Sequence, residues 1–364
     1  VEARGNQGKS LLFQTSPGDA ALIDAYAKAA GYPSTSSLYG DIYRVLPNDT
    51  DLTPFLGAGV AGVNFAFIGN MRDYHSPTDR RANISAATLQ HQGENVLAMA
   101  TALRQADPAA LKGGGNAIYL DIFNLWLPRL PVSWALPLSV AAFLIIALAG
   151  GMSARKRGTE RPVMAALAPL LLLLLCLLAG FVLYAPTAMA GAPTLTIANP
   201  FLRALLEATG IAGPWPSNPL WLRLALAFGV WAAALWTARW AGPIACWLWF
   251  AGLAVVCAIW LPGFSPYFLF PALVAAPLLL LTARRGRTLA LFLAALAGMA
   301  VWSGFNAMAE DIQGLRLHLL FTLSAAFILL SLLPLMAGKR LGGSAFVSAA
   351  LAVVFAVVAA FNVF

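Results

Sequence analysis

Residues 163–185 read VMAALAPLLLLLLCLLAGFVLYA, an apolar run without a single charge. A helix needs about 20 such residues to cross the hydrocarbon core of a bilayer. The stretch therefore reads as a membrane span, and it sets the class of the chain around it. Working outward, similar runs stand at 133–152, 219–238, 243–261, 267–283, 288–305, 317–336 and 344–363. Together they predict an all-α polytopic domain of about eight transmembrane helices. Composition agrees: 60% of the residues are apolar and 10% charged, against about 25% charged in soluble domains. A wholly soluble fold is excluded.

The charges divide the chain further. Residues 1–112 hold nine Lys/Arg and ten Asp/Glu, whereas 113–364 hold fourteen and five. The net charge of +8 thus belongs to the second part, where it reports membrane topology; no nucleic-acid partner is expected. The expected division is a soluble domain at 1–112, a linker at 113–132 and the membrane domain at 133–364, with the lipid bilayer as its partner. Loops after the first, third, fifth and seventh spans carry Arg155, Lys156, Arg157, Arg161, Arg239, Arg284, Arg285, Arg287, Lys339 and Arg340. The other loops carry only Arg129, Arg203, Arg223 and Arg316, with Asp121, Glu207, Glu310 and Asp311 among them. The excess of Lys/Arg marks the cytoplasmic side. The first 130 residues and the C-terminus are then expected outside it, in a periplasm or an organelle lumen. In the long outer loop, Asn199, Pro200 and Gly210 can start and stop a short helix with Phe201, Leu202, Leu205 and Leu206 on one face, either interfacial or packed on the bundle. Cys176, Cys246 and Cys257 lie in apolar runs and form neither a disulfide framework nor a metal-ligand spacing. Within the spans no coupling charge stands at mid-depth, which disfavours a transporter. Ser303 and His318 raise an intramembrane serine protease, but the sequence supplies no residues for an oxyanion site.

The soluble part alternates strand and helix. SLLFQT at 10–15 and VAGVNFAFI at 60–68 read as buried strands. Residues 19–30 read as a helix capped by Asp19, with Leu22, Ile23 and Tyr26 on one face; 37–46 is a weaker helix. Residues 85–105 read as a long helix with Leu89, Val96, Leu97 and Leu103 inward. The polar segment GNMRDYHSPTDRR at 69–81 follows the second strand. Alternation of this kind indicates α/β layers. Two strands are few for a free-standing domain, so a truncated sheet is expected. The chain opens on Val1 with no charged and apolar leader, and is expected to be the C-terminal piece of something longer.

The series VEARGNQGKSLLFQT, PNDTDLTPF, GVNFAFIGN and YHSPTD, followed by the long helix, resembles the second half of the catalytic domain of zinc exopeptidases. The family is that of aminopeptidase Y and the glutamate carboxypeptidase-like enzymes. The likeness is greatest to its membrane-embedded branch, which includes the endoplasmic reticulum metallopeptidase and the fungal vacuolar membrane protease. It covers residues 1–107 motif by motif and the rest in architecture only. It implies an α/β partial zinc-exopeptidase domain ahead of the membrane helices, and hydrolysis of peptide substrates by an aminopeptidase with two zinc ions. It also implies that Glu2 is a ligand of one zinc, that His75 is the last ligand of the other, and that Tyr74 lies beside the metals to bind substrate or its oxyanion. The family's other His ligand, its bridging Asp and its Glu–Glu pair have no counterpart in this chain, so the missing N-terminal half of the domain is an implied partner. This chain alone is then expected to be inactive. After His75 the family's Thr and Asp-Thr are replaced by Ser76 and Asp79-Arg80. Taken one at a time, Glu2 reads as a solvated terminal charge and His75 as a surface histidine. Asp49 and Asp51 read as loop braces, Asp73 as a solvated charge and His91 as part of a polar helix face. The alternative reading is a non-enzymatic polytopic protein or transporter with a remnant peptidase-like outer domain.

Overall fold

The computed structural model describes residues 1–45, 49–111, 114–154, 162–191, 214–216, 218–281, 286–339 and 341–361. The helix expected at 199–210 and the basic residues at 155–157, 161, 284, 285 and 340 lie outside the described residues. The chain divides into two units, Val1–Ala142 with Ala251–Leu273, and Phe143–Phe250 with Val274–Phe364.

The first unit is built on a mixed sheet. Its strands are β1 (Glu2–Gly5), β2 (Ser10–Thr15) and β3 (Val63–Gly69), in the order β1-β3-β2. β1 runs parallel to β3, with Glu2 beside Ala66 and Gly5 beside Gly69. β2 runs antiparallel to β3, with Leu11 opposite Ala66 and a register shift between Leu12 and Gln14. The two-residue period of a strand then sorts the core. Leu12 and Phe65 pack with Leu22, Ile23 and Tyr26 of α1 (Ala20–Ala29) and Met99. Leu11, Phe13 and Ala66 pack on the other face with Tyr39 and Tyr43 of α2 (Ser37–Val45). A short α3 spans Thr53–Gly57.

Helix α4 (Ala86–Gln105) differs from its expected orientation. Leu89 and Leu97, placed inward by hydrophobic periodicity, are 60% and 69% exposed. The buried residues are Thr88, Gln92, Asn95 and Met99, again at helical spacing. Three of these are polar because they satisfy main-chain and polar groups beneath. Thr88 Oγ1 donates to Gly8 O at 2.9 Å, and Gln92 Nε2 donates to Glu2 O at 3.0 Å while its carbonyl accepts from Ser10 Oγ. Hydrogen bonding rather than apolar burial chooses the inner face here.

The stretch 113–132, read as a linker, carries β4 (Ala117–Tyr119) and β5 (Arg129–Pro131), paired antiparallel. Ala117, Tyr119 and Leu127 complete the core around Tyr26. Asp19 makes no side-chain cap on α1. Its carboxylate turns inward and accepts from Ala117 N at 2.9 Å, Thr15 Oγ1 at 3.0 Å and Tyr119 OH at 3.4 Å. Burial raises its pKa above the ordinary 3.8, opposed by these hydrogen bonds. Asp19→Ala leaves the Ala117 N–H buried and unpaired and should cost about 2–3 kcal/mol, read as a lower thermal midpoint. The stability that Asp19 contributes is full below pH 3.8 and is lost as the pH rises through its raised folded value. Asp19→Asn should flatten that part of the profile.

Apolar helices follow: α5 (Ala135–Ala154), α6 (Pro162–Ala190), α7 (Pro219–Thr237), α8 (Pro243–Trp260), α9 (Pro266–Leu281), α10 (Arg287–Gln313), α11 (His318–Met336) and α12 (Gly342–Ala360). Among the described residues, seven are long and apolar enough to cross a membrane, against the about eight expected. The exception is α9, whose 16 residues extend about 24 Å, short of a core roughly 30 Å thick. Helix α10 outruns its apolar stretch and carries Glu310, which pairs with Arg223 of α7 through Nε at 3.0 Å. Arg223 is thus paired within the second unit. The turn Pro262–Phe264 between α8 and α9 belongs to the first unit and packs on α2. Gly263 N donates to Asp41 Oδ2 at 2.8 Å, and Tyr267 OH donates to Ser36 Oγ at 3.1 Å.

Candidate metal centre

Each of the two parallel strands ends in the same pair, Gly5-Asn6 and Gly69-Asn70. The glycines allow the chains to meet: a Cβ on Gly5, whose φ is +107°, would stand 2.0 Å from Gly69 O. The asparagines then clasp one carboxylate. Asn6 Nδ2 and Asn70 Nδ2 donate to Asp73 Oδ2 at 2.6 and 2.8 Å, and Thr78 Oγ1 donates to Asp73 Oδ1 at 2.8 Å. Ser76 Oγ adds a bond to Asp73 O at 2.6 Å. Asp73 is therefore the brace of the 70–79 loop and not the solvated charge expected from the sequence. Its hydrogen bonds, that from Thr78 foremost, hold its pKa below the ordinary value. The stability it contributes is present above pH 3.8 and is lost as the pH falls through its lowered folded value. Limited proteolysis should accordingly cut this loop faster at acid pH, and Asp73→Ala should make it as labile at neutral pH.

The braced loop presents Tyr74 and His75. His75 has φ +55°, a left-handed conformation uncommon away from glycine, and its N–H donates to Asp79 Oδ2 at 3.3 Å. Asp79 thereby supports His75 through the main chain. The imidazole is exposed and stacks on the Tyr74 ring, centroids 3.9 Å apart and planes 21° apart. Arg4 Cζ lies 5.7 Å from the centroid of the same ring, in range of a cation–π contact.

Glu2 lies in β1. In a parallel pair neighbouring residues share a face, so Glu2 beside Ala66 and Arg4 beside Ile68 lie on the face of Leu11 and Phe13. Glu2 stands two residues, about 6.6 Å along the strand, before the arginine that meets Tyr74. Arg4 thus reaches Tyr74, which stacks on His75, and Glu2 shares Arg4's face of β1. Arg4 escaped the sequence reading because a lone arginine at a strand end carries no signal. The repeated Gly-Asn pair was the available sign of the loop's brace.

Neither of the other histidines joins this group. His91 Nδ1 accepts from Ser10 N at 3.1 Å, which leaves the proton on Nε2, 2.8 Å from Tyr32 O. It ties α4 to the start of β2. His318 stacks on Tyr184, with Nδ1 3.0 Å from Arg316 O, while Ser303 Oγ donates to Ala300 O within its own helix. Asp49 Oδ1 accepts from Thr50 N at 3.0 Å, a local brace.

Glu2 and His75 offer a carboxylate and an imidazole, the donors that a borderline ion such as zinc accepts. Among the described residues no three His, Cys, Asp or Glu gather to hold a metal. The two fit as contributors to a centre and do not form one by themselves.

Residues 1–100 match the model of peptidase family M28. The chain is similar to "Endoplasmic reticulum metallopeptidase 1" of Homo sapiens, 32% identical over 137 residues that make 36% of this chain and 15% of the relative. It is also similar to "Putative endoplasmic reticulum metallopeptidase 1-A" of Caenorhabditis elegans, 30% identical over 133 residues, 35% of this chain and 15% of the relative. "Putative endoplasmic reticulum metallopeptidase 1" of Schizosaccharomyces pombe is 33% identical over 129 residues, 34% of this chain and 15% of the relative. The matched part spans about 15% of the length of these curated relatives. No solved structure matches the chain. The resemblance read from the motifs is borne out for the N-terminal segment, which matches a peptidase family and is similar to the endoplasmic reticulum metallopeptidases. With seven apolar helices behind it, the chain is that of a multi-pass membrane protein.

Proposed function

We propose that residues 1–132 supply one ligand to each of two zinc ions in a membrane-anchored exopeptidase, an aminopeptidase, that acts on peptides at the non-cytoplasmic face. The bridging Asp, the second His and the Glu base would come from the other half of the domain. The observation that supports this reading is the approach of Arg4, two residues after Glu2 on β1, to the ring of Tyr74, which stacks on His75. Metal bound there would polarise the scissile carbonyl and lower the pKa of a bound water toward neutrality. Glu2 would hold one ion and His75 the other. Stacking on Tyr74 fixes the imidazole plane, and Asp79 and Asp73 fix the loop behind it. The Tyr74 phenol would donate to the oxygen of a bound carbonyl, with Arg4 beside its ring.

Two measurements test this on the protein joined to its other half. Zinc content should approach two ions per chain, and peptides with a free amino end should be cut while N-acetylated ones resist. Cutting from the carboxyl end would overturn the aminopeptidase assignment. For orientation, the support is the uneven distribution of Lys/Arg between alternate loops. A cysteine at Asp107→Cys should react with an impermeant maleimide in intact cells; reaction only after permeabilisation would overturn it. A second reading, a non-enzymatic membrane protein with a remnant outer domain, is favoured by the lack of a three-donor cluster among the described residues. Absence of bound zinc in the joined protein would select it.

A further inference from the structure

Beyond β4, residues 122–126, Ile-Phe-Asn-Leu-Trp, make a tight turn at the surface of the first unit. Ile122 N donates to Trp126 O at 2.8 Å and Leu125 N to Ile122 O at 3.0 Å. Asn124 secures it from both sides: its N–H donates to Asp121 Oδ2 at 3.2 Å and its Nδ2 to Pro33 O at 3.1 Å. Asp121 Oδ1 in turn accepts from Thr35 N at 3.0 Å. Phe123 and Asn124 have φ of +53° and +58°; asparagine takes that region readily, but a bulky phenylalanine persists there only where the surroundings impose it. The result of this effort is outward display. Phe123, Leu125 and Trp126 are 54%, 73% and 62% exposed. A loop that needed only to connect β4 to β5 would carry polar residues at its tip.

The occupant follows from where the tip stands. β4 ends at Tyr119, and the Ser37 hydroxyl lies 3.0 Å from Tyr119 O and 2.9 Å from Gly263 O. Gly263 is in the turn between two apolar helices, and α8 ends one turn earlier on Trp260, 75% exposed. The chain re-enters an apolar helix, α5, nine residues after the tip, through Trp134, 54% exposed. The tip therefore sits at the level where α5, α8 and α9 begin or end. Three such side chains supply at most about 500 Å² of contact, less than the roughly 800 Å² per partner of a stable protein interface. Phe, Leu and Trp are, however, the side chains that a lipid–water boundary takes. We infer that the 122–126 turn is a rigid anchor inserted in the interfacial layer of the leaflet at which α5, α8 and α9 meet water, holding the peptidase-like unit at a fixed height and tilt on the membrane. The inference is independent of metal chemistry.

The full chain in phosphatidylcholine vesicles tests it. The native cysteines are buried, so Leu125→Cys can carry an environment-sensitive fluorophore, with exposed Ala100→Cys on α4 as the control. The label at 125 should emit at shorter wavelength than the control. It should lose more than half its intensity to lipid bearing a nitroxide near the glycerol, and little to aqueous iodide. Phe123→Ser with Trp126→Ser should weaken the lipid quenching at 125. Emission at 125 equal to the control with full iodide quenching would overturn the inference. So would shortened emission without lipid quenching, which would mean a protein partner or second copy.

Discussion

Glu2→Ala and His75→Ala, made in the protein that carries the remaining ligands, should each lower kcat/KM by roughly 10³-fold or more, and the double variant by little beyond either alone. The lack of additivity is the informative part, since groups that act as one unit lose their effect together. Tyr74→Phe should fall by about 10²-fold, mostly in kcat, the cost of one donor to a developing oxyanion. Bound zinc should drop in the first two variants and remain in the third. Glu2→Ala with activity within tenfold of the parent would remove β1 from the centre and leave the peptidase reading to other residues.

The largest effect on folding is expected at Gly5→Ala. A Cβ there would meet Gly69 O at 2.0 Å in a backbone with φ +107°. The contact is with main chain and not the flexible end of a side chain, so β1 and β3 must move apart there. That would separate Asn6 from Asn70 and Asp73, bonded at 2.9 and 2.6 Å, and with them the brace of the His75 loop. A loss of about 4 kcal/mol or more is expected, in the range reserved for backbone clashes and broken buried networks. The measurement is the thermal midpoint in detergent, with Gly59→Ala as comparison: Gly59 also has positive φ, +72°, but nothing within 4 Å. If both variants shift equally, left-handed strain and not the β1–β3 approach sets the cost.

What could be read from residues alone follows from the strength of each physical signal. The apolar helices were legible because twenty uncharged residues admit few other uses. Observed ends agree closely at Pro219–Thr237 and Pro243–Trp260, and drift at α10, which continues as a helix past its apolar run to Gln313. Strands β2 and β3 were legible as apolar runs. β1 was not, because EARG has one apolar residue and becomes a strand only by pairing with β3. β4 was hidden for the same reason: three residues, Ala-Ile-Tyr, owe their strand to Arg129–Pro131. Periodicity misread α4, since it assumes that leucine faces in. Of the candidate site, His75 and Tyr74 rested on a family motif, whereas the role of Asp73 depends on two asparagines 64 positions apart.

The Ser37 hydroxyl lies 226 positions from Gly263 in the chain, and this separation imposes an order on biosynthesis. At about 5–20 residues per second, roughly 10–45 s pass between the emergence of α2 and that of the turn it packs against. In that interval α5, α6, α7 and α8 must be delivered to the bilayer while the first unit waits with Ser36, Ser37 and Asp41 unpartnered by Tyr267 and Gly263. Completion of the first unit is thereby tied to integration of the helices, so a chain whose membrane insertion fails cannot finish that unit. Quality control that samples that unit would in effect be inspecting the spans.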